Sequence, residues 1–154
     1  MKALSVKQPW TYLICAGFKD IENRTWKLPE KYKGQRVLIQ ASAKPIDAFQ
    51  KGRFPLTPDQ ERYCLENEKE KEDPWAPFRW GVNAHLAKVM ETQLSMIVGS
   101  VIIADCVQNY PSIWAEKGVY NWVLKDPILF ENPILNIKGS LSFWNYEGEL
   151  PDKY

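Results

Sequence analysis

The segment "MIVGSVIIADCVQ", Met96 to Gln108, constrains the fold of this chain more than any other stretch. It is long and almost continuously apolar, which is the pattern of a central strand covered on both faces in a small barrel. Gly99 within it leaves room for a bulge or for close packing against another element. Everything else in the sequence has to supply the strands and helices that cover it.

Those elements can be read on both sides. "KALSVKQ", Lys2 to Gln8, alternates as a strand, and Pro9 suits the first position of a short helix of about two turns that Gly17 would stop. "DIENRTW" then reads as extended, with Ile21 on one face and Glu22, Arg24 and Trp26 on the other. Lys19 belongs to the Ile21 face in a strict strand, but it can swing toward Glu22 and Arg24 if Gly17 to Lys19 is still turning. A turn at Gly34 leads to a buried strand over Val37–Ser42, and a second short helix runs from Pro45 to Gly52. Residues 53–94 carry less pattern. A helix start stands at Thr57-Pro58, a charged run from Glu66 to Asp73 reads as a solvated helix face, and Pro74 acts as a breaker. "WGVNAHLAKVMETQL" reads as another helix. After Gln108, "VYNWVLKD" is a strand, and the final stretch offers two short extended pieces broken at Pro133 and Gly139. The order β-α-β-β, helical block, β-β-β predicts an α+β fold, a small closed or half-closed barrel with helices at its mouth.

At 154 residues the chain has room for one domain with a core, here 1–154 with a helical insertion at about 53–94, and not for two. Its 45% hydrophobic and 25% charged residues exclude disordered and collagen-like classes. Cys15, Cys64 and Cys106 are far apart with no CxxC spacing, and His85 is the only histidine, so inert thiols are expected and neither a metal nor a cofactor. No apolar leader follows Lys2 and Lys7, and no stretch approaches the roughly 20 apolar residues of a membrane span, which places the protein in the cytoplasm and off the membrane. The net charge of +1 conceals an asymmetry: residues 1–52 carry ten Lys/Arg against four Asp/Glu, while the remaining two thirds are acidic. A local basic field of this kind attracts anions, although a solvated lysine face produces the same count.

Gly17, Lys19, Glu22 and Arg24 fit the pattern G-x-K-x-x-E-x-R. "LSVKQPW" precedes them, "ASAKP" and "VGSVIIADCV" follow, and "YNWVLKDP…NPILNIKGSLSFWNY" resembles a W-x-L-x-x-P…P-x-x-x-K-G-x-x-x-x-W ending. In this order the blocks resemble the ASCH domain, a branch of the PUA-like superfamily, over residues 2–52 and 96–146. The resemblance implies a PUA-like barrel with a cleft beside the first helix that holds RNA or another nucleic acid or nucleotide. Some ASCH members are instead hydrolases acting on acetylated cytidine or on RNA, so the family indicates the fold more firmly than the function.

The chemistry of the residues fits either function. Arg24 offers a planar, two-pronged donor to a phosphate or a base carbonyl. Glu22 can hold that guanidinium, or accept from a base amino group. Lys19 is a point charge for phosphate, or an amine made easier to deprotonate beside Arg24. Trp10 and Trp26 could stack a base or simply fill core. Gln8, Ser42 and Lys44 would be rim donors, and Lys44 is equally a solvated charge. For hydrolysis Lys19 and Glu22 are the candidates, with Glu22 as general base on water, because the acetylcytidine-hydrolysing branch has a threonine where this chain has Glu22. A third reading makes the 53–94 block a protein-interaction surface. Protein partners are otherwise open.

Overall fold

The computed structural model describes residues 1–69, 72–73 and 75–154, with only the backbone of Phe49 and Gln50. Along the chain its elements are β1 (Lys2–Val6), α1 (Trp10–Cys15), β2 (Ile21–Arg24), a 3-10 turn (Glu30–Tyr32), β3 (Arg36–Ala41), α2 (Asp47–Gln50), α3 (Pro58–Glu66), α4 (Val82–Thr92), β4 (Met96–Val107), β5 (Tyr120–Ile134) and β6 (Phe143–Asn145). The strands form one mixed sheet in the order β2-β5-β4-β3-β1-β6. Only β1 and β3 run parallel, and every other pair is antiparallel. The apolar segment from Met96 is the long strand between β3 and β5, as its composition requires.

The sheet curls into a half-barrel, so the end of β2 comes back to β1 at the far side of the sheet: Arg24 Nη2 donates to the Ser5 carbonyl at 2.9 Å. Val37, Ile39 and Ala41 of β3 fill its interior with Val101 and Ile103 of β4 and Trp122 of β5. Helix α1 lies across one end of this core. Ile14 and Cys15 point into it. Tyr12 and Leu13 on the other side of the helix pack with Leu86, Val89 and Met90 of α4 and Cys64 of α3. The helical block is thus fastened to the barrel through the helix that precedes β2.

Several expectations are met by local chemistry. Thr57 caps α3 in a reciprocal box with Gln60, at 3.2 Å and 3.0 Å, with Pro58 just inside. Gly34 turns with φ +82° and donates to the Ile103 carbonyl. Apart from these, His85 lies half-buried against Tyr12 and Phe78.

Other expectations are corrected. Pro9 is the residue before α1 rather than its first position, although the helix itself, at six residues, is close to the two turns expected. Among its described residues the charged run is not a helix face beyond Glu66: α3 stops there, and Asn67 bonds the Tyr63 carbonyl through both its backbone and its side chain. Glu70 and Lys71 of that run, and the Pro74 breaker, lie outside the described residues. The final stretch is not broken at Pro133, because β5 continues from Tyr120 through Pro127 and Pro133 to Ile134. Strand β2 covers only Tyr120–Val123, so the later part of β5 has a neighbour on one side and its prolines forgo no ladder bond on the other. Asp126, with φ +48°, marks the bend.

Candidate functional site

The turn after α1 decides where the charges go. Gly17 takes φ +88°, and the amides of both Phe18 and Lys19 return to the Leu13 carbonyl at 2.9 Å. The chain is therefore still turning at Lys19, and its side chain reaches the Glu22 side of β2 instead of following Ile21. Ile21 is buried against the helical block. Glu22 and Arg24, two residues apart on a strand, share the opposite face.

Glu22 sits between two cations. Its Oε2 accepts from Arg24 Nη2 at 3.1 Å, and its Oε1 is 3.9 Å from Lys19 Nζ. Lys19 Nζ donates to the Ile21 carbonyl and lies 5.3 Å from the centre of the Trp10 ring. The Arg24 guanidinium rests 5.8 Å over Trp122. Lys19 and Glu22 are 5% and 6% exposed, so these interactions act with little solvent screening. The restraint of Arg24 is explicit: a carboxylate, a backbone carbonyl and an indole face hold one guanidinium.

Burial pulls the Lys19 ammonium below the ordinary lysine value of 10.5, opposed chiefly by Glu22. The unfolded chain binds this proton more tightly, so the Lys19 contribution makes stability rise with pH in the window below 10.5 and level off above it. Melting temperatures from about pH 8 to about pH 10.5 should therefore rise in the wild type relative to Lys19→Met. Parallel curves for the two proteins would show that Lys19 is not a desolvated charge.

Beside the Glu22/Arg24 pair opens a cavity of about 900 Å³. Its walls come from Ser5 to Lys7, Trp10, the Glu22/Arg24 face of β2, Gln40, Ser42 and the segment 136–142. Of the residues singled out in the sequence, Trp10, Glu22, Arg24 and Ser42 stand on this cavity. Lys19 stands behind Glu22, on a separate pocket of about 70 Å³ with Gly17 and Asp20. Gln8, Trp26 and Lys44 are not on the wall. Gln8 is wholly buried, where its Oε1 accepts from the Tyr12 amide and its Nε2 donates to the Gln93 carbonyl, which fixes the start of α1. Trp26 turns onto Trp122 and Phe143, at 4.7 and 6.2 Å between ring centres. Lys44 is exposed to solvent.

Sequence reasoning missed Ser5, Gln40 and the wall formed by 136–142. The wall is placed there by β6, which pairs with β1 and so brings the end of the chain beside its beginning. Gly139 lets that wall close on its neighbours: a Cβ there would lie 2.4 Å from both Gln40 Oε1 and Ser5 Oγ, and would push those side chains aside. The only signal for it was the Lys-Gly pair inside the last block, Lys138-Gly139.

The family model of the ASCH domain matches residues 4–134, most of the chain. The chain belongs to the ASCH domain family. The match spans the 53–94 block as well as the strands from β2 to β5, and it ends before the 136–142 wall and β6. No curated protein matches the chain. The half-barrel is thus an ASCH domain of the PUA-like class, with α1 at its mouth and the Lys19, Glu22 and Arg24 side chains gathered below that helix. Among the described residues no helix is long and apolar enough to cross a membrane, and no three His, Cys, Asp or Glu side chains converge as metal ligands. Cys15 and Cys64 are buried, and burial raises the pKa of both thiols, that of Cys64 to about 12, which leaves them unreactive.

Proposed function

We propose that this ASCH domain binds single-stranded RNA, or a nucleotide within it, in the cavity beside Arg24. The observation that carries the reading is the restrained guanidinium: Arg24 lines a cavity of about 900 Å³ together with the Trp10 indole, and Lys7 and Lys138 stand on the same wall. A cavity of this size accommodates a base, an aromatic wall offers a stacking face, and cations on its wall suit the phosphates that a base brings with it. Glu22 holds Arg24 in place and remains close enough to the cavity to contact the ligand itself.

The hydrolase reading draws less support from the same geometry. The Lys19 amine is turned to the Ile21 carbonyl on the far side of Glu22, and one Glu22 oxygen is committed to Arg24. Thr25, the nearest hydroxyl on the strand end, is exposed and does not stand on the cavity.

Binding of short single-stranded RNA should weaken steeply as salt rises. Arg24→Ala should lower the affinity by about tenfold to a hundredfold, and Arg24→Lys, which keeps the charge but loses the two-pronged donor, should recover only part of it. Fluorescence anisotropy across a salt series measures both effects. Affinity unchanged in Arg24→Ala, in a variant that still melts cooperatively, would sink the reading.

A further inference from the structure

We infer that the cavity selects its ligand by the hydrogen-bond donors the ligand brings, and so prefers a base with an exocyclic amino group over its carbonyl analogue. The inference rests on the nucleic-acid reading above and names the chemistry of the base. It comes from an imbalance among the polar atoms of the wall. Gln40 is 1% exposed and faces the opposite side of β3 from Val37, Ile39 and Ala41. Its Nε2 donates to the Ile137 carbonyl at 2.9 Å, which fixes the orientation of the amide, because that carbonyl can only accept. The other end, Gln40 Oε1, is buried and has no hydrogen-bond partner among the described residues.

Glu22 adds a second acceptor, on a side chain that is 6% exposed. Arg24 Nη2 serves Glu22 Oε2 and the Ser5 carbonyl, whereas Glu22 Oε1 has only Lys19 Nζ, at 3.9 Å and outside hydrogen-bond reach. Glu22 and Gln40 both line the cavity. The wall therefore holds a carboxylate, Glu22, with one oxygen lacking a hydrogen-bond donor, and an amide, Gln40, whose covered oxygen beside Gly139 lacks one too. A covered acceptor left unmade, as at Gln40, is costly, and a ligand that brings N–H groups to this wall supplies the missing donors. The amino group of cytosine or adenine brings them. A uracil or hypoxanthine carbonyl at the same place sets acceptor against acceptor and adds a penalty.

Competition of CMP against UMP, and of AMP against IMP, for a labelled single-stranded RNA tests this directly. The amino-bearing member of a pair should compete at a concentration about tenfold lower than its carbonyl partner. Glu22→Gln replaces an acceptor-only group with an amide that can also donate, and should reduce that ratio to about twofold or reverse it. Gln40→Met, close in volume and without polar atoms, should also narrow it, with melting curves confirming that each variant is folded. RNA binding with no preference within either pair in the wild type overturns this inference and leaves the nucleic-acid reading standing. Failure of RNA and all four nucleotides to bind removes both.

Discussion

Gly99→Ala should lower the melting temperature by roughly 6–12 °C, corresponding to a loss of about 3 kcal/mol in a domain of this size. Gly99 lies in β4, beside a shift in the β4–β5 register, and faces Ile39 on one side and Leu129 on the other. A Cβ there would be 2.0 Å from the Ile128 carbonyl oxygen and 2.9 Å from both Cβ and Sγ of Cys15. A side-chain tip could move aside, but a carbonyl within a hydrogen-bonded sheet moves only with its strand. Cys15 belongs to α1, so the same substitution also presses the helix away from the barrel. Adding Cys15→Ala should return little of the lost stability, because it leaves the backbone contact in place. Full rescue by Cys15→Ala, or a melting point within about 2 °C of wild type, corresponding to under 1 kcal/mol, would show that the strands can part at this point.

The second large effect is expected at Glu22. Glu22→Ala should cost about 3–5 kcal/mol at neutral pH, as removal of one member of a buried charge pair does. Lys19, 5% exposed, would lose the carboxylate 3.9 Å away, and Arg24 would lose its side-chain acceptor. The direct partners left to Lys19 are the Ile21 carbonyl and the Trp10 face, neither of which carries charge, and Glu116 and Asp20 act on it only without a direct ion pair. Urea unfolding gives the measurement. The double variant Lys19→Met/Glu22→Ala should recover a large part of the loss, since it removes the stranded ammonium together with its partner. A cost below about 1 kcal/mol, typical of a solvated ion pair, would contradict the burial described for this pair.

The spacing of Lys19, Glu22 and Arg24 was legible in the sequence because strand geometry puts alternate residues on one face and Gly17 marks where the helix stops. The strands around Met96–Val107 were legible for a similar reason, since continuous apolar character admits few environments. Local patterns do not report which elements meet from opposite ends of a chain. Segment 136–142 forms a cavity wall only because β6 pairs with β1, more than a hundred residues earlier. Gln40 reads as interior of a buried strand, and its unpaired oxygen becomes apparent only once the Ile137 carbonyl and Gly139 are in place. Gln8 and Trp26 had the right chemistry for a binding site, and tertiary packing uses both elsewhere: one holds a helix start and the other joins an aromatic cluster.

The half-barrel leaves β2 and β1 without a shared ladder, and Arg24 spans the gap to Ser5 with a single side chain. One arginine thus works as a clasp for the scaffold and as a wall of the cavity. Substitutions that redirect it toward a new ligand loosen the scaffold, and substitutions that tighten the clasp withdraw it from the ligand. Adaptation of this domain to other ligands is therefore easier through Gln40 and the 136–142 segment, which shape the cavity without fastening β2 to β1.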